Sequence, residues 1–238
     1  MATSSIPSTL PEGPSPVPGP PPPLENGDRL TRDEFERRYH AMPHVKKAEL
    51  IEGVVYISSP VRTEQHGEPH LDLGTFLGLY RHYTPGVRGG DNSTIRLDLK
   101  NEPQPDDILF RDPSLGGKAR LDADGYVSGA PELAAEISAS SVSVDLGPKL
   151  VAYRRCGIQE YIVWRVLDRA FDWFELISGD YARLEAGEDG VLRSKVFPGL
   201  WLDAAAILPG DFPRAHSLLQ EGLASAEHQP FVETMRQA

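Results

Sequence analysis

The prolines of this chain are concentrated near its N-terminus, and this concentration limits how much of the sequence is able to form a packed fold. Nine of the 22 prolines lie between Pro7 and Pro23 in a chain of 238 residues. Residues 1–27 contain no aromatic side chain and only two charged ones, both glutamates. A segment of this kind buries too little apolar surface to offset the entropy lost on ordering. The sequence therefore predicts a disordered proline-rich tail over 1–27 and a single folded domain over 28–238.

The composition excludes several classes of protein. Cys156 is the only cysteine, so neither an intramolecular disulfide nor a Cys-rich zinc site is available. The sequence contains no run of roughly 18 apolar residues and no secretory signal pattern. We therefore expect a cytoplasmic protein with no membrane partner. The formal net charge of −11 argues against tight, non-specific coating of DNA. It is compatible with a local acidic metal site that acts on phosphates.

Two long helices are predicted in the body. Apolar residues in segment 64–83 recur at the i, i+3, i+4, i+7 spacing of one amphipathic helix. A second helix begins at Asp145 and ends at Gly157, because glycine is typical of the position just after a helix. A shorter helix follows Thr31, which has the residue type of an N-cap.

β-Rich segments between and after these helices predict a sheet. The predicted strands cover 48–58 (a strand pair or one kinked strand), 95–99, 107–110, 133–138, 161–166 and 171–176, with a further hairpin through 188–190. Residues 111–130 are predicted as a polar connection, and one or two small helices follow Arg214. This order predicts an α/β fold in which a mixed central β-sheet is flanked by helices and followed by extra C-terminal β-hairpins.

Two carboxylates stand at unusual places in the predicted strands. Asp106 directly precedes the strand over 107–110, and Glu136 interrupts the apolar strand LAAEIS. An acid within an apolar strand is costly unless it is paired or bound to a cation. On neighbouring strands the two acids would form an all-oxygen site for Mg²⁺ or a similar ion. The alternative is that both acids turn to solvent or form salt bridges.

Lys149 lies on the helix that is predicted to follow the strand with Glu136. On a helical wheel it stands at the rim of the apolar face, about 60° from Leu146. From this position its side chain is able to reach inward towards Glu136. The alternative is a lysine that extends to the surface and pairs with Asp145 at i, i+4 spacing.

Histidines and basic residues provide two further candidates. His66 and His70 have the i, i+4 spacing at which two histidines share a metal ion, so a zinc-dependent hydrolase is an alternative function. Gly67 and Pro69 weaken a regular helix between and around them. A basic cluster before the first strand would either contact phosphates or form a solvated helix face, and it consists of Arg37, Arg38, His40, His44, Lys46 and Lys47.

A series of motifs runs through the body in a fixed order. The motifs are ELIEG at 49–53, PQPDDILFRDP at 103–113, APELAAEISASSVSVDLGPKL at 130–150, YRRCGIQEYIVW at 153–164 and VFPGLWLD at 196–203. In order and spacing they resemble the PD-(D/E)xK restriction-endonuclease-like superfamily and, more narrowly, its Uma family of bacterial endonucleases. The resemblance covers about residues 28–225 and implies a restriction-endonuclease-like core. It also implies a homodimer, for which hairpins after residue 170 offer strand edges.

The resemblance implies a role for individual residues. Asp106 matches the PD aspartate and Glu136 the acid of the third core strand, and both would bind a divalent metal. Two residues after the glutamate the superfamily pattern has lysine, whereas this chain has Ser138. Lys149 then takes the place of the lysine that some members carry on the following helix. Further supporting positions of the family match Glu52, His66 and Asp145.

These assignments imply an endonuclease that depends on Mg²⁺ or Mn²⁺ and hydrolyses phosphodiester bonds of nucleic acid, with DNA as the expected substrate. Asp106 and Glu136 would hold the ion beside a phosphate and a water. Lys149 would orient or deprotonate the water, or stabilise the developing charge. The alternative is a catalytically inactive protein that keeps the nuclease fold as a binding or scaffold protein.

Overall fold

The computed structural model describes residues 19–58, 60 and 62–236, so residues 1–18 of the predicted tail lie outside the described residues. Leu24, still within the predicted tail, is buried in a cluster with Phe35, Leu50 and Val55. The amide of Gly27 donates a hydrogen bond of 2.8 Å to the carbonyl of Val55. The packed body therefore begins a few residues before the predicted boundary at residue 27.

Helices and strands alternate along the described chain. The helices are α1 Arg32–His40, α2 Glu68–Tyr83, α3 Val142–Val144, α4 Leu150–Cys156, α5 Ala204–Ile207, α6 Phe212–Leu223 and α7 His228–Arg236. Single π- or 3₁₀-helical turns cover Thr63–Gly67, Pro113–Leu115 and Asp145–Lys149. The strands are β1 Ala48–Ile51, β2 Val54–Ile57, β3 Val87–Asp91, β4 Ile95–Arg96, β5 Asp107–Arg111, β6 Arg120–Leu121, β7 Val127–Ser128, β8 Leu133–Ser138, β9 Glu160–Arg165, β10 Ala170–Ile177, β11 Asp180–Arg183, β12 Leu192–Arg193 and β13 Trp201–Leu202.

A six-stranded mixed sheet forms the centre of the fold. Its strand order is β11-β10-β9-β8-β5-β3. Strands β8 and β9 are parallel, and the other neighbours are antiparallel. The parallel pair is joined through α3 and α4, as a parallel connection requires. The predicted mixed α/β fold with helices flanking a central sheet is confirmed. Strand β11 is one edge of this sheet, and a homodimer through such an edge stays a prediction.

Both faces of β8 are buried, which explains its continuous apolar sequence. Leu133, Ala135 and Ile137 face a core that includes the apolar side of α2. Ala134 faces the opposite core, where Tyr153 of α4 packs. Because side chains alternate along a strand, Glu136 points to the same side as Ala134, towards α4. The acid that interrupts the strand is therefore buried against a helix, 3% exposed, and does not turn to solvent.

The predicted helices are present, with local distortions where glycine and proline occur. The predicted helix over 64–83 begins with a π-helical turn that ends at Gly67, and α2 continues from Glu68. The predicted helix before Gly157 is interrupted at Gly147, whose φ of −112° and ψ of −106° are not helical. Gly157 ends α4 with a φ of 84°, as predicted. In the part of the chain that the structure describes, we find no helix with both the length and the apolar character needed to cross a membrane.

Two strand predictions were wrong in detail. The segment 188–190 is a turn between β11 and β12, and the hairpin partner of β12 is β13. The extra C-terminal β-hairpins of the predicted fold are present as the pairs β10–β11 and β12–β13, and the first of them turns at Ser178 and Gly179, with φ values of 52° and 92°. The predicted strand 95–99 is reduced to β4, which pairs with β7 inside the predicted connection 111–130. Strands of two residues are too short to leave a periodic pattern.

Glu102, which is not one of the acids of the predicted site, makes the stability of the fold depend on pH. Burial, and then the hydrogen bond and charge of Glu36, raise its pKa from 4.5 to about 8. The folded chain therefore keeps a proton that the unfolded chain releases above about pH 4.5, so stability falls as the pH rises towards 8. We expect Glu102→Gln to remove this pH dependence. The free energy of unfolding of the variant, minus that of the unmodified chain, should therefore be larger at pH 8 than at pH 5. Urea unfolding at both pH values, with the exposed Glu185→Gln as control, measures the effect. An equal stability difference at the two pH values would contradict it.

Candidate active site

Asp106 and Glu136 lie opposite each other on neighbouring strands. The antiparallel register of β5 and β8 pairs Asp107 with Ala135, so the next pair in the same register is Asp106 with Glu136. Directly opposite residues of an antiparallel pair project from the same face of a sheet. Both acids are buried, with 2% and 3% exposure. The structure thus brings together the two acids that the sequence analysis singled out.

Asp106 is surrounded by hydrogen-bond donors. Its Oδ2 accepts a 2.8 Å hydrogen bond from the amide of Ile137 and lies 3.3 Å from Nε2 of His66. Its Oδ1 accepts a 3.3 Å hydrogen bond from Nζ of Lys47. Burial acts to raise the pKa of Asp106, but the hydrogen bond from His66, the charge of Lys47 and the Ile137 amide outweigh it and lower the pKa. Asp106 is therefore a carboxylate at neutral pH.

Lys149 lies at the centre of three buried acids. Its Nζ is 2.9 Å from Oε1 of Glu136, 3.0 Å from Oε1 of Glu49 and 3.5 Å from Oδ1 of Asp145. Lys149 itself is 3% exposed. The inward orientation towards Glu136 is therefore present, together with the i, i+4 contact to Asp145. Lys149 does not extend to the surface, as the alternative interpretation required.

The charges in this cluster shift one another. Burial lowers the pKa of Lys149, but Glu136, Glu49 and Asp145 raise it more, so the pKa lies well above its usual value. For Glu136, burial raises the pKa, Lys149 opposes this, and the carboxylates of Asp145, Asp106 and Glu49 raise it further. Lys149 therefore stays an ammonium ion. Glu136 is held in surroundings that favour a proton or another cation.

Tyr153 and Ser138 complete the hydrogen bonding of the cluster. The hydroxyl of Tyr153 on α4 donates a 2.9 Å hydrogen bond to Oε1 of Glu136. The hydroxyl of Ser138 donates to Oδ2 of Asp145, which also accepts a 2.6 Å hydrogen bond from Ser141. Ser138 stands where the superfamily pattern has lysine, and Asp145 takes up its hydroxyl. The ammonium that reaches Glu136 is instead that of Lys149, the last residue of the π-helical turn that leads into α4.

The two acids of the motif ELIEG, Glu49 and Glu52, lie in different parts of the β1–β2 hairpin. Glu52 lies in the turn between β1 and β2, and its Oε2 accepts a 2.7 Å hydrogen bond from Arg155. Only one of the two acids lies on strand β1 and contacts Lys149. That acid is Glu49, whose Oε1 also accepts a 2.7 Å hydrogen bond from the amide of Gln104.

The basic cluster before β1 contributes one residue to this region through the contacts described. Lys47 reaches both Asp106 and the side chain of Asn92, the latter at 3.2 Å. Arg37 and Arg38 on α1 instead pair with Glu34, at 2.7 and 2.6 Å. Two members of the cluster therefore form a helix-surface ion-pair network, and Lys47 is the member beside the acids.

His66 and His70 lie near each other and near Asp106. Their ring centroids are 5.6 Å apart, and Nε2 of His70 is 3.1 Å from the carbonyl oxygen of Asp106. The ligand atoms of His66, His70 and Asp106 all lie within 4.8 Å of one another. The i, i+4 histidine pair therefore has a geometry that would hold a metal ion. A zinc hydrolase built on it stays a prediction.

Sequence reasoning missed Glu49 and Tyr153 as members of the site. Glu49 carried a usable signal, because it interrupts the buried strand β1 as Glu136 interrupts β8. Tyr153 lies one helical turn after Lys149, on the inward face of α4. Its position predicts burial, but its hydrogen bond to Glu136 depends on how the helix packs on the sheet. No local sequence signal reports that contact.

Comparisons with known proteins agree with this fold. The chain is similar over 80% of its length to a protein from Anabaena variabilis described as a "putative nuclease belonging to DUF820", with 14% identity, 99% coverage of that protein and a TM-score of 0.56. At this identity the likeness establishes the fold alone. No curated protein matches the chain. The family model Uma2, described as "Putative restriction endonuclease", matches residues 32–205. Since this match spans most of the chain and confirms the resemblance found in the sequence, the chain belongs to the Uma2 family.

Proposed function

We propose that this chain is a metal-dependent nuclease of the PD-(D/E)xK type, which hydrolyses phosphodiester bonds of nucleic acid, and DNA in particular. The observation that carries the proposal is the pair of buried acids, Asp106 and Glu136, opposite each other with the ammonium of Lys149 2.9 Å from Glu136. The description of the Uma2 family and that of the Anabaena variabilis protein support the nuclease class.

The donor set fits a divalent cation. The carboxylates of Asp106, Glu136, Glu49 and Asp145 outnumber the two ammonium groups in contact with them, those of Lys47 and Lys149. A divalent ion between Asp106 and Glu136 would relieve the repulsion that raises the pKa of Glu136. Oxygen donors of this kind suit Mg²⁺ and Mn²⁺. Asp106 and Glu136 are the residues that would hold the ion.

The residues of the cluster have separate roles in this proposal. A bound divalent ion supplies positive charge beside a phosphate oxygen and lowers the pKa of a water. Asp106 is an anion at neutral pH and needs no deprotonation to act as a ligand. Lys149 is held as a cation, so we assign it the orientation of the attacking water and the stabilisation of negative charge, and not proton abstraction. Glu49 and Tyr153 fix the positions of Lys149 and Glu136.

The test of the proposal is a cleavage assay with the full chain. We expect supercoiled plasmid DNA to be nicked in the presence of Mn²⁺ or Mg²⁺ and to stay intact when EDTA is added. A structured RNA in a parallel reaction distinguishes the two nucleic acids as substrates. Binding of metal and DNA without cleavage of either nucleic acid would contradict the nuclease and support the non-catalytic binding protein.

Glu49 and Glu52 provide a matched comparison of two acids from the same hairpin. We expect Glu49→Gln to reduce metal-dependent cleavage by about 10- to 100-fold, the typical effect of losing a group that positions a site residue. Glu52→Gln removes a half-exposed pair with Arg155 and is expected to leave cleavage unchanged. Initial cleavage rates of the two variants measure the difference. Equal losses in both variants, or a loss in Glu52→Gln alone, would show that Glu49 does not position Lys149.

A further inference from the structure

Asp107 directs its carboxylate to the face of the sheet opposite Glu136. It pairs with Ala135 in the register of β5 and β8, and Ala135 belongs to the core that α2 covers. Gly74 of α2 makes room for the carboxylate, because a Cβ at this position would lie 3.1 Å from Oδ1 of Asp107. The acid is therefore accommodated between α2 and the central sheet.

His70 of α2 and Asp91 of β3 face this carboxylate. Nε2 of His70 is 2.7 Å from Oδ1 of Asp91 and 3.7 Å from Oδ2 of Asp107. One ligand atom from each of the three residues lies within 4.8 Å of the other two. Three donors at such separations are able to bind one ion at usual metal–ligand lengths of about 2.0–2.2 Å. The group joins one helix and two strands that are not consecutive in sequence.

A second observation is that the side chains of this group do not satisfy all of its hydrogen-bonding atoms. Asp107 is 6% exposed, and its buried Oδ2 has no hydrogen-bond partner in the described part of the chain. Buried carboxylate oxygens without a partner are costly. The three side chains also line a pocket of about 540 Å³, together with Gly67, Leu71, Gly74 and Thr75. The unsatisfied oxygen and the open space beside it indicate a ligand.

We propose that His70, Asp91 and Asp107 form a second divalent-cation site, which takes a transition metal such as Zn²⁺ or Mn²⁺. One imidazole nitrogen and two carboxylates suit these ions, whereas Mg²⁺ prefers a shell of oxygen atoms. The pocket leaves positions on the ion open to water. An ion at this position links α2 to β3 and β5, so its main effect is to stabilise the packing of α2 on the sheet.

Two other arrangements of the same residues need to be distinguished. His70 is also near His66 and Asp106, and an ion bound by those three residues would occupy a different site that shares only His70 with the proposed one. An imidazolium of His70 that pairs directly with Asp91 would need no ion. Substitution of Asp91 distinguishes the first arrangement, because Asp91 is not part of it and its side chain is 70% exposed. Binding of a metal ion distinguishes the second arrangement, which needs none.

The test is a calorimetric titration of the full chain with Zn²⁺, combined with thermal unfolding. We expect the unmodified chain to bind one equivalent of Zn²⁺ at this site. Asp91→Asn and Asp107→Asn should lose this equivalent, and Glu136→Gln should keep it. Glu68→Gln, which changes an exposed acid at the start of α2, is the matched control and is expected to keep the ion. At Zn²⁺ concentrations about 100-fold above Kd, the melting temperature should rise by roughly 5–10 °C in the unmodified chain and not in Asp91→Asn.

Each alternative outcome overturns the site. A Zn²⁺ equivalent that is present in Glu136→Gln and survives when Asp91→Asn or Asp107→Asn is added to that variant places the ion elsewhere. Binding that is lost in His66→Gln but kept in Asp91→Asn assigns the ion to His66, His70 and Asp106. Absence of any Zn²⁺ or Mn²⁺ equivalent in Glu136→Gln leaves the three residues as an ion pair. These results do not decide the nuclease proposal, because that proposal depends on Glu136, which is not part of the second site.

Discussion

Asp106→Asn is expected to reduce metal-dependent DNA cleavage by about 10²- to 10³-fold, the order of loss when a preorganised charge-stabilising group is removed. The substitution keeps an oxygen that is able to accept the hydrogen bond from the Ile137 amide, so the local backbone should hold its position. It removes the negative charge that Lys47 and His66 stabilise as a carboxylate. An amide oxygen binds a divalent cation more weakly than a carboxylate does.

The cleavage rate of Asp106→Asn is compared with that of Asp33→Asn, a substitution of an acid whose side chain is 84% exposed on α1. Thermal unfolding of both variants shows whether the fold is intact. A folded Asp106→Asn variant that retains cleavage within a few-fold of the unmodified chain would exclude Asp106 as a metal ligand.

Lys149→Met is expected to destabilise the chain by about 3–5 kcal/mol at pH 7, the cost of leaving buried charges without their partner. The substitution removes the ammonium from among Glu136, Glu49 and Asp145 while a side chain of similar length still fills the space. Burial and mutual repulsion already raise the pKa of Glu136, and loss of Lys149 removes the charge that opposes this. The folded variant then binds more protons than the unfolded chain, so its stability should recover in part as the pH falls from 7 to 5.

Urea unfolding of Lys149→Met at pH 7 and pH 5 measures both effects, with the exposed Lys118→Met as control. Glu136→Gln added to Lys149→Met removes one of the repelling carboxylates and should restore part of the lost stability. A destabilisation below about 1 kcal/mol would indicate a solvent-screened surface pair and contradict a buried ionic cluster.

The elements that the sequence predicted well are those with a local periodic or residue-type signal. Strand β8 was expected over 133–138 and has these bounds, because both of its faces are buried and its sequence is almost continuously apolar. The amphipathic spacing of α2 and the glycine that ends α4 also gave correct positions. The meeting of Asp106 and Glu136 followed from two acids at comparable places in neighbouring strands.

The parts that the sequence did not predict depend on contacts between distant segments. Whether Glu49 or Glu52 faces Lys149 is decided by where the β1–β2 turn begins, and boundaries of this kind are the least certain part of a sequence prediction. The hydrogen bond from Tyr153 to Glu136 depends on the packing of α4 against the sheet. The short strands β4, β6 and β7 form a three-stranded sheet through pairing alone, without a pattern of their own.

The metal group on the opposite face illustrates the same limit. His70, Asp91 and Asp107 come from α2, β3 and β5, and only the order β5-β3 at the end of the sheet brings them together. In the sequence, Asp107 is the direct neighbour of Asp106. In the fold the two carboxylates point to opposite faces, because adjacent residues of a strand alternate.

The most direct test of a nuclease metal site is a crystal structure of the chain grown with Mn²⁺ and examined by anomalous scattering. We predict an ion bound by carboxylate oxygens of Asp106 and Glu136, at about the 2.1 Å that is typical of Mg²⁺–oxygen bonds, with Lys149 next to it. An anomalous peak at His70 but none between Asp106 and Glu136, at saturating Mn²⁺, would contradict the assignment of these two acids.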